Sequence, residues 1–384
     1  MMDFATFGES HGKVIGVVVE GLPAGLEISV DGINAELSRR QSGYGRGARM
    51  AMEKDTAEIV SGVRWGRTIG SPVCVLIKNR DWDNNRRLMS VDKISGASSM
   101  RLLRPRPGHA DLAGLMKYRF DDVTDVLERS SARETAARVA AGALFKKFLS
   151  VAGIGVYSWV EEIGGVKADV PSAPALKISE LAKKNTLSIP DAAAFSRMAA
   201  LIDSAKKSGD TVGGVFAVAV SGTPAGLGGY VSWKERLDGK LAAALMSIQA
   251  IKGVEIGAGF RAASTSGSKV HDEIFYSKTA GYFRKTNNAG GLEGGVTNGG
   301  EIRARCAMKP IPSLTKPLAS VDIATKKPSP AAAVRSDVCA VPAAAVVGEA
   351  MTAFVIAAAV RDKFGGDSVS EFLDNLRSSS RRRA

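Results

Sequence analysis

The chain has 384 residues, of which 45% are hydrophobic, and 52 Lys and Arg against 39 Asp and Glu give it a formal net charge of +13. This composition supports a packed core and excludes fibrous and largely disordered classes, while the basic excess asks for an anionic partner: nucleic acid, an acidic surface or a multiply anionic small molecule. The three cysteines, Cys74, Cys306 and Cys339, are far apart, which argues against a disulfide framework or a Cys-rich zinc site and fits a reducing, cytoplasmic setting.

In chain order, the N-terminus lacks a basic segment followed by an apolar one, so no signal peptide is expected. Residues 14–19 and 71–77 read as short β-rich runs. Residues 134–149 carry apolar side chains at Ala136, Val139, Ala143, Leu144 and Phe148, close to one helical face. Residues 166–210, rich in Lys, Ser, Ala and Asp, read as a peripheral excursion with short helices. Residues 212–221 are a further strand, and Leu237, Leu241, Leu245 and Ile248 recur at helical spacing. Residues 314–334 read as a mobile loop. Residues 342–360 form an apolar, alanine-rich stretch that carries Glu349 and is short for a bilayer span, so a buried helix with Pro342 in its first turn is expected, and no membrane association. The tail, 378–384, is basic, with Arg381, Arg382 and Arg383, and reads as a frayed, mobile end. Strands and helices mix without βαβ alternation, which disfavours a doubly wound sheet.

The candidates for chemistry lie in glycine-flanked loops. The three histidines are His11 in GESHG, His109 in RPGHAD and His271 in KVHDE. No two are close in sequence, so helical metal motifs are absent and no metal site is expected. His11 and His109 have polar loop surroundings in which an imidazole can act as an acid toward a leaving anion; His271, beside Asp272 and Glu273, reads as structural. Arginines gather as Arg39, Arg40 and Arg46, as Arg101, Arg104 and Arg106, as Arg129 and Arg133, and as Arg335. Guanidinium matches carboxylate and phosphate with two parallel hydrogen bonds. Ser131 and Glu134 have the spacing of a capping box, which predicts a helix start whose free N–H groups, with Ser130 and Arg133, suit an anion. Asp337 is a candidate base or charge partner. Phosphate-loop and dinucleotide motifs are missing, and GESHG lacks the strand–turn–helix context of a hydrolase nucleophile. Aromatics are only 6% and no nucleic-acid-binding motif is visible, so single-strand stacking platforms are scarce.

The blocks GESHG, RRQSGYGRG, RPGHADLAG, ERSSARETAARVAAG, SIQAIKGVEIGAGF, TNNAGGLEGGVTNGG, MKPIPSL and RSDVCAVPAAAVVGEAM resemble, in order, the motif set of the chorismate synthase family. They run from residue 8 to about 352; Gln249 stands where that loop commonly has proline or asparagine, and 166–210 and the tail match no motif. The resemblance implies an α+β fold in one large domain, residues 1–384, with long core helices sandwiched between antiparallel sheets, assembled as a homotetramer. It implies a lyase of the shikimate pathway that eliminates phosphate from 5-enolpyruvylshikimate 3-phosphate with reduced FMN and no net redox change, NADPH or an external flavin reductase supplying the reduced state. By the same resemblance Arg40, Arg46, Arg106, Arg133 and Arg335 bind substrate with Ser10 and Ser131. His11 is the acid for the departing phosphate, His109 stabilises the reduced flavin, and Asp337, with Ser130, relays the ring proton. Arg129, Ser130, Ser131, Gln249, Ala250, Gly294, Lys309, Pro310, Ile311, Pro312, Ser313 and Arg335 contact FMN. Composition alone leaves open a flavin-dependent oxidoreductase with net electron transfer, or a basic nucleic-acid-binding protein.

Overall fold

The computed structural model describes residues 1–47, 54–333 and 337–381. Four strands, β1 (Asp3–Gly8), β2 (Val14–Glu20), β3 (Ala57–Ser61) and β4 (Val73–Lys78), form an antiparallel sheet in the order β1–β2–β4–β3. In β4 burial alternates, with Val73, Val75 and Ile77 buried and Cys74, Leu76 and Lys78 less so, and in β2 Ile15, Val17 and Val19 are buried on the same face. A second antiparallel sheet has the order β8–β9–β7–β5–β6, with β5 (Gly155–Ile163), β6 (Val166–Lys167), β7 (Gly214–Ser221), β8 (Ile251–Ile256) and β9 (Ile302–Met308).

Helices lie between the sheets and around them. They are α1 (Val30–Gln41), α2 (Asp111–Tyr118), α3 (Val123–Ser130), α4 (Thr135–Val151), α5 (Ala175–Ala182), α6 (Ala192–Ser208), α7 (Leu237–Met246), α8 (Val341–Phe364) and α9 (Val369–Arg381). Of these, α5 packs on the far face of the second sheet against Trp159, Ala217 and Ala219. The central pair is α4 and α8: α4 packs on β2 and β4, and α8 on β5 and β7. Their backbones approach closely because Gly142 faces Ala350; a Cβ on Gly142 would lie 2.2 Å from the Ala350 Cβ. The expected sandwich of helices between antiparallel sheets is therefore present. The helix α8 is long and apolar enough to cross a membrane, yet 89% of its apolar window is buried inside the molecule. It is apolar all round because protein surrounds it.

One charged side chain interrupts that helix. The Glu349 carboxylate receives Arg39 Nη2 at 2.7 Å, Lys146 Nζ at 2.7 Å and Ser158 Oγ at 2.7 Å. Burial pushes its pKa up, but Lys146 and Arg39 outweigh burial and hold it well below its ordinary value of 4.5. A carboxyl whose folded pKa is depressed adds stability that is present above its unfolded pKa and is lost as pH falls toward the folded one. Glu349→Gln is therefore expected to lower the urea midpoint near neutral pH, and the gap to the parent protein is expected to narrow as pH drops below 4.5. A gap that does not depend on pH would contradict the assignment.

Three local expectations are revised. The capping box does not close reciprocally. Ser131 Oγ accepts from Arg133 N, but Ser131 N already donates to Leu127 O at the end of α3, so the Glu134 carboxylate turns to Thr6, Arg138 and Gln249. Residues 166–210 are less peripheral than their composition suggests: α6 is 17 residues long, and Ala194, Met198 and Ile202 enter the main core. Part of 314–334 is an ordered hairpin, Ala319–Val321 paired with Pro328–Pro330; two prolines in its second strand disguise it, since proline is tolerated in edge strands.

Candidate active site

The link between β1 and β2 carries Ser10 and His11. It is held from below by α3: Ser10 N donates to Glu128 O at 2.9 Å and His11 N to Glu128 Oε2 at 2.7 Å. The ring nitrogen His11 Nδ1 lies 2.7 Å from Glu128 Oε1. Asn79, just past β4, donates to the carbonyls of Glu9 and Gly12 at 3.1 and 2.7 Å, so the loop is pinned at both ends.

Asn79 also ties this loop to an arginine cluster, because its Oδ1 accepts from Arg133 Nε at 2.9 Å. Arg133 Nη1 binds both oxygens of buried Asp55, at 2.7 and 2.9 Å, and Arg40 Nη2 binds the same carboxylate at 2.9 Å. Burial lowers the Arg40 pKa; Asp55 opposes this, while Arg133 and Arg46 push in the same direction as burial, so the three guanidiniums feel one another. Arg46 Nη1 in turn reaches Asp337 Oδ2 at 2.7 Å, and Gly47 N donates to Asp337 Oδ1 at 2.6 Å. Among the described residues these three guanidiniums share two carboxylates in a largely water-excluded place. Buried guanidinium groups require anionic partners, so the arrangement suits carboxylates and phosphate.

A second group forms around His109. Gly108, at φ +78°, makes the turn, where a Cβ would touch Lys309 Nζ and Pro312 Cβ at 3.4 Å. His109 Nδ1 lies 2.5 Å from Asp111 Oδ1, and Arg106 reaches Asp111 through N, Nε and Nη2. Arg106 Nη2 also approaches His109 Nδ1 at 3.1 Å, but with the proton on Nδ1 that approach is not a hydrogen bond. Burial pushes the Asp111 pKa up, and the hydrogen bonds from His109 and Arg106 overcome it, holding the carboxyl well below the usual range. Because Arg106 Nη1 goes to Ser313 Oγ at 2.9 Å, this guanidinium braces the His109 turn from inside the protein instead of standing open to substrate as its motif suggests. Lys309 Nζ donates to Gly108 O.

Two runs of hydrogen bonds join the groups. In one, Lys309 N donates to Ala250 O, Gln249 Nε2 to Glu134, Thr6 Oγ1 to Glu134 and Arg129 to Thr6 O, which leads back to the His11 strand. In the other, Thr211 Oγ1 donates to Ile311 O and Val212 N to Val338 O, beside Asp337. Neither run reaches Gly294, which sits exposed at a hairpin tip with Tyr230 nearby, and His271 is exposed and lies in neither group. Arg335 lies outside the described residues.

Four residues that complete the geometry, Asp55, Asn79, Asp111 and Glu128, were not singled out from the sequence. Asp111 and Glu128 had a signal: each is an acid inside a motif block that carries a proposed functional residue. Asp55 and Asn79 had none. Among the described residues no group of three or more His, Cys, Asp or Glu is placed to hold a metal ion. A cavity of 780 Å³ opens beside the Glu349 cluster, near Trp65, Arg67 and Lys146, and includes none of the site residues.

The family model described as chorismate synthase matches residues 2–360. The chorismate synthase of Geobacter metallireducens is 54% identical over 392 residues, covering 98% of this chain and 100% of that protein. That of Geobacter sulfurreducens is 55% identical over 382 residues, covering 98% and 97%. A solved crystal structure of chorismate synthase matches with a TM-score of 0.80 at 43% identity, covering 98% of this chain and 97% of that one.

Proposed function

The chain belongs to the chorismate synthase family, and from that premise we propose which of its residues carry the reaction. It is a lyase that removes phosphate from 5-enolpyruvylshikimate 3-phosphate to give chorismate for aromatic amino acid biosynthesis. The oxidoreductase and nucleic-acid readings are not supported, since the family match spans nearly the whole chain.

The residues fit reduced FMN as cofactor. Ser130 Oγ and Gln249 Oε1 are buried without a hydrogen-bond partner among the described residues, offering a donor and an acceptor that a flavin ring edge would meet. Ala250 has a left-handed backbone at φ +69°, and Arg129, Ser131 and the Lys309–Pro310–Ile311–Pro312–Ser313 segment complete the cradle, Lys309 and Ser313 suiting the phosphate. FMN held there in its reduced form would supply electron density to the substrate ring with no net oxidation.

The chain supplies position and protons. Arg40, Arg46 and Arg133, with Ser10, Ser131 and Arg335, hold the carboxylates and phosphate of the substrate. His11 donates a proton to the departing phosphate oxygen. Asp337 takes the proton lost from the ring carbon, Ser130 standing in the relay, and His109, set by Asp111, faces the flavin. NADPH or an external flavin reductase maintains the reduced cofactor. The working form is a cytoplasmic homotetramer; of this, exposed large apolar side chains such as Tyr230, Trp233, Phe260 and Tyr282 support burial against other copies of the chain.

The observation that carries this reading is the His11 loop pinned by Asn79, whose side chain also accepts from Arg133 in the buried arginine cluster. Asp337→Asn tests it: turnover is expected to fall about 10²-fold or more, while FMN still binds in a fluorescence titration. Weakened FMN binding with parental turnover at saturating FMN would reverse the assignment of Asp337.

A further inference from the structure

We infer that Glu128 is the positioning residue of His11: it fixes the orientation of the ring and which ring nitrogen carries the transferable proton. The inference deepens the reading above and rests on His11 being the acid. Glu128 lies in the last turn of α3, and its side chain is only 4% exposed. A buried carboxylate is costly unless its oxygens are bonded. Here the oxygens divide their work over one residue: Oε2 accepts from the His11 backbone N–H and Oε1 meets the His11 ring at Nδ1, both at 2.7 Å.

That division separates two roles. Holding the loop needs only the main-chain contacts, which the Ser10 N to Glu128 O bond at 2.9 Å and the His11 N–H already provide. The contact to Nδ1 adds nothing to the path of the loop; it fixes the rotation of the ring and its tautomer. A carboxylate accepts only, so in the neutral ring Nδ1 carries the hydrogen toward Glu128 and Nε2 is the nitrogen through which the proton reaches the phosphate oxygen. When His11 is protonated, both nitrogens are donors: Nδ1–H is directed at the carboxylate 2.7 Å away, and Nε2–H is the one delivered to the leaving group. The proton on Nε2 forms a bond to the phosphate oxygen as its carbon–oxygen bond breaks, and His11 is left neutral. In a Ser–His–Asp triad the carboxylate acts by the same physics without itself being protonated.

The test has two arms. The chain has three histidines, so nitrogen NMR of histidine-labelled protein, with His11 assigned by its absence in His11→Ala, is tractable. In the parent protein the neutral His11 ring is expected as the Nδ1–H tautomer, and an Nε2–H tautomer would overturn the inference without any assay of turnover. In the kinetic arm, Glu128→Gln keeps the size of the side chain and an acceptor for the His11 N–H but removes the charge. It is expected to lower kcat about 10- to 100-fold with KM within about twofold, and Glu128→Asp, which retains the charge, is expected to recover part of the loss. A Gln variant with parental kcat, or an Asp variant as slow as the Gln variant, would overturn the inference. If Glu128→Gln fails to fold, the parent tautomer and the Asp variant decide. Should His11→Ala turn over normally, the fault lies with the acid assignment and not with the tautomer that Glu128 sets.

Discussion

Replacing His11 by Ala is expected to lower kcat by about 10²- to 10⁴-fold, the usual worth of a general acid, while KM for the enolpyruvyl substrate changes only a few-fold. The reason lies in the division of labour within the site. Substrate charge is met by guanidinium groups: Arg40 and Arg133 share Asp55, and Arg46 sits beyond them on Asp337. The imidazole is held by separate contacts, Glu128 below and the Asn79-pinned loop around it. Removing the ring leaves the arginine cluster bonded as before, so the ground state is still bound. What is lost is a proton delivered to the phosphate oxygen as it departs, which matters only in the transition state. Steady-state anaerobic kinetics of phosphate release distinguish the outcomes. A large rise in KM with kcat preserved would move His11 from acid to binding group.

Asp55→Asn is expected to destabilise the protein by about 3–5 kcal/mol, because it strips a shared carboxylate from two buried guanidiniums. Asp55 is the shared partner of Arg40 and Arg133, and all three side chains are nearly inaccessible to water. The carboxamide keeps the shape but cannot offset two guanidiniums. Burial already lowers the Arg40 pKa, with Asp55 as the opposing influence, so the arginine pair is left more strained without it. Urea denaturation of the cofactor-free protein reads the loss, and a midpoint within error of the parent would show that solvent or a neighbouring acid serves in its place. Added phosphate is expected to recover more of the midpoint in the variant than in the parent, since the site then has a greater need of an anion.

The parts of the molecule that were legible in the sequence are those whose signal is local. The strand at 14–19 and the helix at 342–360 declare themselves through short-range pattern, and the structure places them at Val14–Glu20 and Val341–Phe364. The motif blocks carried the family because each is contiguous. Long-range partners were not legible. Glu128 meets His11 across 117 positions, Asp55 meets Arg133 across 78, and Asn79 meets Arg133 across 54. A carboxylate on a helix looks the same in sequence whether it faces water or a histidine, and the fold decides. The capping box failed for a related reason: Ser131 closes one helix while opening the next turn, so its N–H was already taken by Leu127. In α6 the stop signals were present, Asp191 capping the start and Gly209 at φ +74° ending it, but alanine, lysine and serine dilute the apolar stripe of Ala194, Met198 and Ile202. The hairpin at Ala319–Val321 was hidden by Pro328 and Pro330, whose edge position removes the usual penalty.

The most direct measurement mixes the purified protein with reduced FMN and 5-enolpyruvylshikimate 3-phosphate in the absence of oxygen, following the flavin spectrum, chorismate absorbance and free phosphate together. Chorismate and phosphate should appear in equal amounts over many turnovers while the flavin stays reduced. Flavin oxidised in step with product, or phosphate released without chorismate, would contradict the account.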